Sequence, residues 1–325
     1  MHDTVVMHDS RARWRIDLRV LLAFGAIYVL WGGTFLAIRI AVLQIPPFFT
    51  AGVRFSTAGI LLHAFMRLRG EPRLTLIEWR NTAIIGLCMF VLTYGPLFWA
   101  EQYVSSSITS VIEASLPITT ITLEVFVFRT QRKQWRTLAG VLLGFFGIVL
   151  LLANNRGQEL AVIPCLVILA AGIAWSFGAV LSGRLALPRS RPLTAGTEMM
   201  LGGAVLLALS ASTGELRSPP HVTWSAGFAL LYLIVCGSLI AYTAYVWLLG
   251  RMSATRVASH AYINPLVAVA LGYFLAGEVI TARTVVAAAL VVGSVFLILS
   301  RGTAGSSAAG PPAATNSTTC AMLRD

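Results

Sequence analysis

Five polar residues and a proline recur at helical spacing within one apolar stretch of this sequence. They follow one another at intervals of four, three, four, three and four positions: Ser106, Ser110, Glu113, Pro117, Thr120 and Glu124. On a helix this spacing places them on one face. Pro117 also removes a backbone N–H and frees a carbonyl one turn earlier, near Glu113. The pattern favours a cavity wall with Glu113 as a titratable group, and the alternative is helix packing through Ser and Thr.

His260, Asn264 and Pro265 lie together in a second apolar stretch. His260 and Asn264 are four positions apart and therefore share a helix face. Because histidine exchanges a proton near neutral pH, Glu113 with His260 would make a proton relay, and both residues with Asn264 are predicted to line a substrate path. The alternative is a hydrogen-bonded polar pair in a packed core.

Two further pairs occupy matching places in the two halves of the chain. Arg54 and Glu198 have opposite charges at equivalent positions, which predicts a gate or, preferably, a structural salt bridge. Tyr94 and Tyr242 combine a ring with a hydroxyl, which suits an amphipathic organic ligand. We predict that both tyrosines line the same path.

Common enzyme motifs are absent from the sequence, which contains no HExxH, no Walker A and no GxSxG. The four cysteines are scattered and form no CxxC. We therefore predict no catalytic residue, no metal and no cofactor. Without a nucleotide-binding loop, the energy source would be an ion gradient or the substrate gradient.

The composition is that of a membrane protein, since 57% of the residues are hydrophobic and 11% are charged, against about a quarter charged in soluble domains. A membrane helix needs about 20 apolar residues, and the runs are too long and uniform for barrel strands. The sequence predicts ten helical spans: 19–39, 48–66, 80–100, 105–128, 135–153, 162–182, 194–211, 224–248, 257–276 and 283–300.

The formal net charge of +11 is explained by topology. With a cytoplasmic N-terminus, most of the Lys and Arg residues fall in loops on the cytoplasmic side, as the positive-inside rule requires. No nucleic acid partner is predicted. Both termini are expected in the cytoplasm, with residues 1–18 as an N-terminal tail and residues 301–325 as a disordered tail.

The sequence also predicts an internal duplication. Five residues of the first half match five of the second at one constant offset: Cys88, Tyr94, Trp99, Ser105 and Pro117 against Cys236, Tyr242, Trp247, Ser253 and Pro265. Trp31 matches Trp175, and Gly59 matches Gly203, at a slightly shorter offset. Each unit, 19–153 and 162–300, holds five spans, so the second enters the membrane from the opposite side. Such inverted repeats support alternating access to a site near the membrane midplane.

The combined order of several stretches resembles the drug/metabolite transporter superfamily and its EamA-type exporters. These stretches are WGGTFLAIRIAV, PPFFTAGVRF, FWAEQYVSSSITSVIEASLP and INPLVAVALGYFLAGEVIT, and the AEQYVSSS junction is similar to that of the YedA-like exporters. The resemblance covers about residues 20–300. It implies an all-α integral membrane fold of ten transmembrane helices in two inverted five-helix repeats. The fifth and tenth helices would pack outside the cavity.

The chain departs from this family in its fourth helix. The second unit ends this helix with Gly277-Glu278, whereas the first unit has Arg129-Thr130. Glu113 and Glu124 stand where the family is usually apolar, although Glu124, one turn from Arg129, is expected to be solvated or paired.

The resemblance and the repeat together predict a secondary active transporter of the cytoplasmic (inner) membrane. By the resemblance, its small-molecule substrates would be amino acids, other metabolites or toxic compounds, usually exported, with the proton as a plausible coupling ion. An uptake permease or facilitator is the main alternative, followed by a non-transporting membrane scaffold and an intramembrane enzyme. A homodimer is an option that the sequence leaves open.

Overall fold

A computed structural model of the protein describes residues 17–104, 106–130, 135–152, 161–215, 217, 222–267 and 282–299. Within these ranges all regular structure is helical. The predicted tails fall almost entirely outside the described residues, and so do Ser105 and the Gly277-Glu278 pair.

The described helices begin and end as follows, with three π-helical segments between them. They are α1 (Leu18–Gly32), α2 (Thr34–Val42), α3 (Pro47–Leu68), α4 (Leu76–Gly86), a π segment (Leu87–Val91), α5 (Tyr94–Ala100), α6 (Ser106–Glu113), α7 (Leu116–Thr122), a second π segment (Leu123–Val127), α8 (Trp135–Leu152), α9 (Val162–Ser182), α10 (Arg191–Thr213), α11 (Trp224–Tyr232), a third π segment (Leu233–Tyr242), α12 (Thr243–Leu249), α13 (Ala254–Val257), α14 (260–267, where the described residues stop) and α15 (Ala282–Leu299).

Six helical stretches of the described chain are long and apolar enough to cross a membrane. They are Leu18–Val42, Pro47–Leu68, Leu76–Ala100, Val162–Ser182, Arg191–Thr213 and Trp224–Leu249. Shorter apolar helices cover Leu116–Val127, Trp135–Gly147 and Val285–Ile298. The prediction of an all-helical membrane protein is confirmed at this level.

Several predicted spans are interrupted near their middle, which hydropathy did not indicate. The first breaks at Gly33, between α1 and α2, and the third breaks at Thr93, between its π segment and α5. The fourth breaks after Glu113, because Pro117 lacks the N–H that would bond to the Glu113 carbonyl. Broken membrane helices are tolerated where neighbours or a cavity satisfy the freed backbone groups.

Short-range sequence signals fix several helix starts. The Thr75 hydroxyl accepts a bond from the Glu78 backbone N–H, and the Glu78 carboxylate accepts one from the Thr75 N–H, so α4 begins with a capping box. Proline stands at the first turn of α3, α7 and α10, where its missing N–H costs nothing.

Helices α3 and α10 cross at backbone contact because each presents glycine to the other. A Cβ added at Gly59 would overlap the Met200 backbone, and one added at Gly203 would overlap the Ser56 backbone. Gly196 is equally crowded, since its Cβ would lie 2.7 Å from the backbone nitrogen of His63. Small residues that allow such approach are a general means of helix association in membranes.

Helix α8 packs on α15 through a stripe of three glycines. A Cβ added at Gly140 would lie 3.1 Å from the Ser294 carbonyl oxygen, and one at Gly147 would lie 3.2 Å from that of Ala287. Between them, a Cβ at Gly144 would lie 2.6 Å from Ser294 Oγ. The glycine stripe therefore serves helix packing.

Candidate functional site

A small cavity lies where three interrupted helices and α9 meet. Its volume is about 30 Å³, which is room for one or two water molecules but not for an organic substrate. The described residues that line it are Trp31, Thr34, Phe35, Ile38, Thr93, Tyr94, Leu97, Glu113, Trp175 and Asn264. Thr34, Thr93 and Glu113 each stand next to a helix break, so the breaks bring polar side chains to the cavity. We call it the central cavity.

Glu113 is the only carboxylate among the described residues that line the central cavity. It is the last residue of α6, and its side chain is only 8% exposed. Its Oε1 has no hydrogen-bond partner in the described part of the chain. A buried carboxylate oxygen without a partner costs free energy unless something else satisfies it. Pro117, one turn later, is buried in α7 but does not line the cavity.

Aromatic rings form much of the wall and connect the two halves of the chain. The Trp31 and Trp175 rings meet edge to face, with centroids 5.8 Å apart, and Tyr94 meets Trp175 in the same way at 5.7 Å. Trp31 is held in place because its indole N–H donates to the Gly237 carbonyl at 2.9 Å. Tyr94 and the two tryptophans therefore form a rigid aromatic surface facing Glu113.

Asn264 lines the central cavity, and His260 is not among the described residues that line it. The His260 ring packs against Trp31, with centroids 4.8 Å apart, and its Nδ1 bonds to the Val257 carbonyl at 2.9 Å. Pro265 is buried in α14. The structure therefore brings Glu113 and Asn264 to one cavity, while the Trp31 ring stands between the cavity and His260.

Arg54 and Glu198 bond to different partners in the described chain rather than to each other. Arg54 Nε donates to Ser238 Oγ at 2.9 Å, and its guanidinium carbon lies 5.0 Å from the centre of the Tyr94 ring. Glu198 Oε2 accepts a bond from the Tyr242 hydroxyl at 2.7 Å. The predicted charge pair is not formed in this conformation, because each group has its own polar partner.

Tyr242 lines a second, smaller cavity and not the central one. This cavity has a volume of about 10 Å³, and its lining includes Arg191, Glu198, Tyr242 and Leu249. Leu249 also borders a third and larger cavity of about 230 Å³ at the ends of α9 and α12. The Trp175 and Tyr242 rings, 6.2 Å apart, separate the central cavity from the other two.

The described residues offer no metal site, because no group of three or more His, Cys, Asp or Glu side chains is close enough to hold an ion. The chemistry of the central cavity is therefore that of binding through a carboxylate, an amide and aromatic rings.

Comparison with known proteins assigns the chain to a family. A model of the EamA-like transporter family matches residues 18–153 and, a second time, residues 162–300. The chain belongs to the EamA-like transporter family. It is thus a membrane transporter and not an enzyme.

Relatives of this EamA-like transporter align along most of their length. The chain is 37% identical over 291 residues to the uncharacterized inner membrane transporter YedA of Escherichia coli (strain K12), covering 88% of this chain and 92% of that protein. It is 27% identical over 282 residues to a probable amino-acid metabolite efflux pump of Salmonella typhimurium (strain LT2), covering 83% and 91%. A solved crystal structure matches with a TM-score of 0.69 and 20% identity over 86% of this chain and 96% of that one, which concerns the fold alone.

Sequence reasoning missed four residues that matter in this EamA-like transporter. Trp31 and Trp175 were noted only as matching positions of the repeat, yet both line the central cavity. The signal that could have revealed them is that the two tryptophans occupy matching positions near the middle of predicted spans. Thr93 was not singled out, because a lone threonine in an apolar run is unremarkable. Glu101 was missed because it falls at the predicted end of a span, although its side chain is fully buried and both carboxylate oxygens lack partners in the described chain.

Proposed function

We propose that this EamA-like transporter is a secondary active exporter of the inner membrane that moves small organic molecules by alternating access. The central cavity, widened when the transporter opens to one side of the membrane, would be its substrate site. The observation that carries the proposal is the buried, unpartnered carboxylate oxygen of Glu113, which faces the aromatic surface formed by both halves of the chain. A buried polar group without a partner, placed in a cavity, indicates a ligand.

The packing supports two inverted repeats around this site. Positions that match in sequence meet in space, as Trp31 and Trp175 do at 5.8 Å. Helix α3 likewise crosses α10, its counterpart in the second unit, and the glycines at the crossing, Gly59 and Gly203, are themselves matching positions. Contact between equivalent elements is what a twofold axis through the membrane plane would produce.

The sizes of the cavities support an exporter that loads from the cytoplasm. Of the three cavities described above, the one with the greatest volume lies at the ends of α9 and α12, which the positive-inside pattern assigns to the cytoplasmic side. At the opposite end, Arg39 Nη1 donates to the backbone carbonyls of Glu101 and Val104, the latter at 2.8 Å. Thr223 Oγ1 also donates to Gln44 Oε1 there. Hydrogen bonds therefore link neighbouring segments at the predicted outer end, whereas a cavity is present at the predicted inner end.

The proton is the coupling ion that the side chains favour. A carboxyl group facing a cavity of one or two waters can hold either a proton or a cationic ligand, so the two would compete for Glu113. His260, behind Trp31, is the second group able to carry a proton.

An efflux screen tests transport without knowledge of the substrate. Cells that overproduce the chain are expected to release more of some metabolite, or to resist some toxic compound better, than cells that overproduce a Trp175→Ala variant at equal membrane level. Identical efflux and toxicity profiles in the two strains would remove the proposed function. Greater accumulation inside the cells would instead indicate uptake.

Coupling is tested in proteoliposomes with the substrate that the screen identifies. We expect a pH gradient to drive substrate accumulation by the unmodified protein and not by Glu113→Gln, which cannot release a proton. Glu78→Gln is the matched control, because Glu78 lies in the capping box of α4, where Gln serves equally well. Unaltered pH dependence in Glu113→Gln would remove Glu113 from the coupling mechanism.

A further inference from the structure

The hydrogen-bonding groups of the central cavity are nearly all occupied by the protein itself. Thr34 Oγ1 donates to the Trp31 carbonyl at 2.7 Å, and Thr93 Oγ1 donates to the Cys88 carbonyl at 2.8 Å. With its amide turned to satisfy both neighbours, Asn264 donates to the carbonyls of His260 and Tyr28 at 3.1 and 3.2 Å. This orientation leaves the Asn264 oxygen as an acceptor. The groups left for a ligand include two acceptors, Glu113 Oε1 and the Asn264 oxygen, and one neutral donor, the Trp175 indole N–H.

The described residues that line the central cavity include no Lys, Arg or His. Arg54 does not line the cavity: it is 1% exposed, donates to Ser238 and lies 5.0 Å from the centre of the Tyr94 ring, which does line it. His260 does not line it either, and its ring packs against Trp31. The indole N–H of Trp175 is a neutral donor and cannot balance a carboxylate. A ligand with a free carboxylate would thus meet Glu113 without a compensating cation, which is costly in a buried site.

From this arrangement we infer that the central cavity binds the ammonium group of an organic cation. The cation would form an ion pair with Glu113 and lie against the rings of Trp31, Tyr94 and Trp175, and an amine, which has N–H donors, would also donate to the Asn264 oxygen. A carboxylate forms its strongest hydrogen bonds with charged donors, and tryptophan and tyrosine faces attract cations within about 6 Å. The inference rests on the proposed function and narrows it to amines and quaternary ammonium compounds, with amino acids and organic anions disfavoured.

Three probes with the same aromatic ring and different charge test the inference. They are phenethyltrimethylammonium, which is permanently cationic and cannot cross the bilayer as a neutral base, phenylalanine, which is a zwitterion, and phenylacetate, which is an anion. The full chain is reconstituted in liposomes, and counterflow of each labelled probe is measured against protein-free liposomes. We expect the ammonium probe to move at least about tenfold faster than the other two, because it alone carries a cation and no carboxylate to meet Glu113 and the aromatic rings.

The role of the carboxylate is tested with the same assay. Glu113→Gln keeps the shape of the side chain and removes the charge, so ammonium counterflow should fall at least about tenfold. Glu78→Gln makes the same chemical change on the exposed start of α4 and should leave counterflow unchanged. The ranking of the three probes by the unmodified protein does not depend on whether a variant folds.

Each other outcome overturns the inference in a distinguishable way. If phenylalanine or phenylacetate moves faster than the ammonium probe, transport stands and the ammonium class is wrong. If the ammonium probe moves equally in Glu113→Gln, the cation is not held by this carboxylate. If none of the three moves, the ammonium class is wrong for this cavity, and the efflux screen decides separately whether the chain transports another compound.

Discussion

The polar side chains buried in this protein fall into two groups. Some have complete partners, as Glu124 does when its carboxylate accepts bonds from the backbone N–H groups of Ala254 and Thr255 and so caps α13. Glu113, by contrast, leaves Oε1 without a partner in the described chain. Glu124 therefore serves the fold, whereas Glu113 is available to a ligand, although both lie on the same predicted helix face.

Tyr242→Phe is expected to destabilise the protein without removing its aromatic packing. The change deletes the hydroxyl that donates to Glu198 at 2.7 Å and leaves a buried carboxylate short of one bond. Such a loss costs about 1–3 kcal/mol. Thermal unfolding in detergent should show a lower Tm.

Tyr103→Phe is the matched control for this measurement, because the Tyr103 side chain is 58% exposed. Equal Tm values for the two variants would contradict a stabilising role of the Tyr242–Glu198 bond.

Arg54 and Glu198 are expected to act independently. The hypothesis of a direct charge pair requires that Arg54→Glu combined with Glu198→Arg restores transport lost in either single reversal. Because Arg54 bonds to Ser238 and Glu198 bonds to Tyr242, we expect the double reversal to be as inactive as the singles. Recovery of transport in the double variant would show that the two charges meet in another conformation.

The membrane spans of this chain were predicted from hydropathy, but most of the breaks within them were not. The apolar runs predicted the spans because hydropathy is a local property that accumulates along the sequence. The break at Gly33 was not predicted, since no proline marks it, and the break at Thr93 was overlooked although Pro96 follows three residues later, whereas Pro117 was taken to mark the break after Glu113. These breaks build the central cavity, because each places a polar residue beside it.

Gly59→Ala is expected to disrupt the crossing of α3 and α10. The added methyl group would overlap the Met200 backbone, which cannot move as a flexible side chain can. Overpacking of this kind costs about 1–3 kcal/mol, so Tm should fall and transport should decrease.

Gly25→Ala on α1 is the comparison, since a Cβ there meets nothing within 4 Å in the described structure. Its Tm should stay the same or rise slightly, because alanine has a higher helix propensity than glycine. If Gly59→Ala left Tm and transport unchanged, α3 and α10 would be less closely packed than they are in the structure.

The complete fold joins two halves whose matching residues meet at the centre. If the halves are inverted, equivalent loops face opposite sides of the membrane. Leu43 lies between α2 and α3, and Ala186 lies in the matching loop between α9 and α10.

Single cysteines at these two positions test the inversion directly. In a background without the native cysteines, an impermeant maleimide added to intact cells should label Leu43→Cys and not Ala186→Cys. Both cysteines should react once the membrane is permeabilised. Labelling of both sites, or of neither, in intact cells would contradict the inverted arrangement.

The sequence alone determined that the chain is an all-helical membrane protein of the EamA-like family, and it identified Glu113, Asn264 and Tyr94 as residues of interest. These conclusions follow from hydropathy, helical spacing and matched positions, all of which are read along one chain. Only the tertiary structure decided that Trp31 and Trp175 complete the same cavity, that His260 stands behind it and that Tyr242 belongs to another. That outcome depends on how each helix is rotated and where it breaks, which contacts between distant helices fix and no single segment encodes.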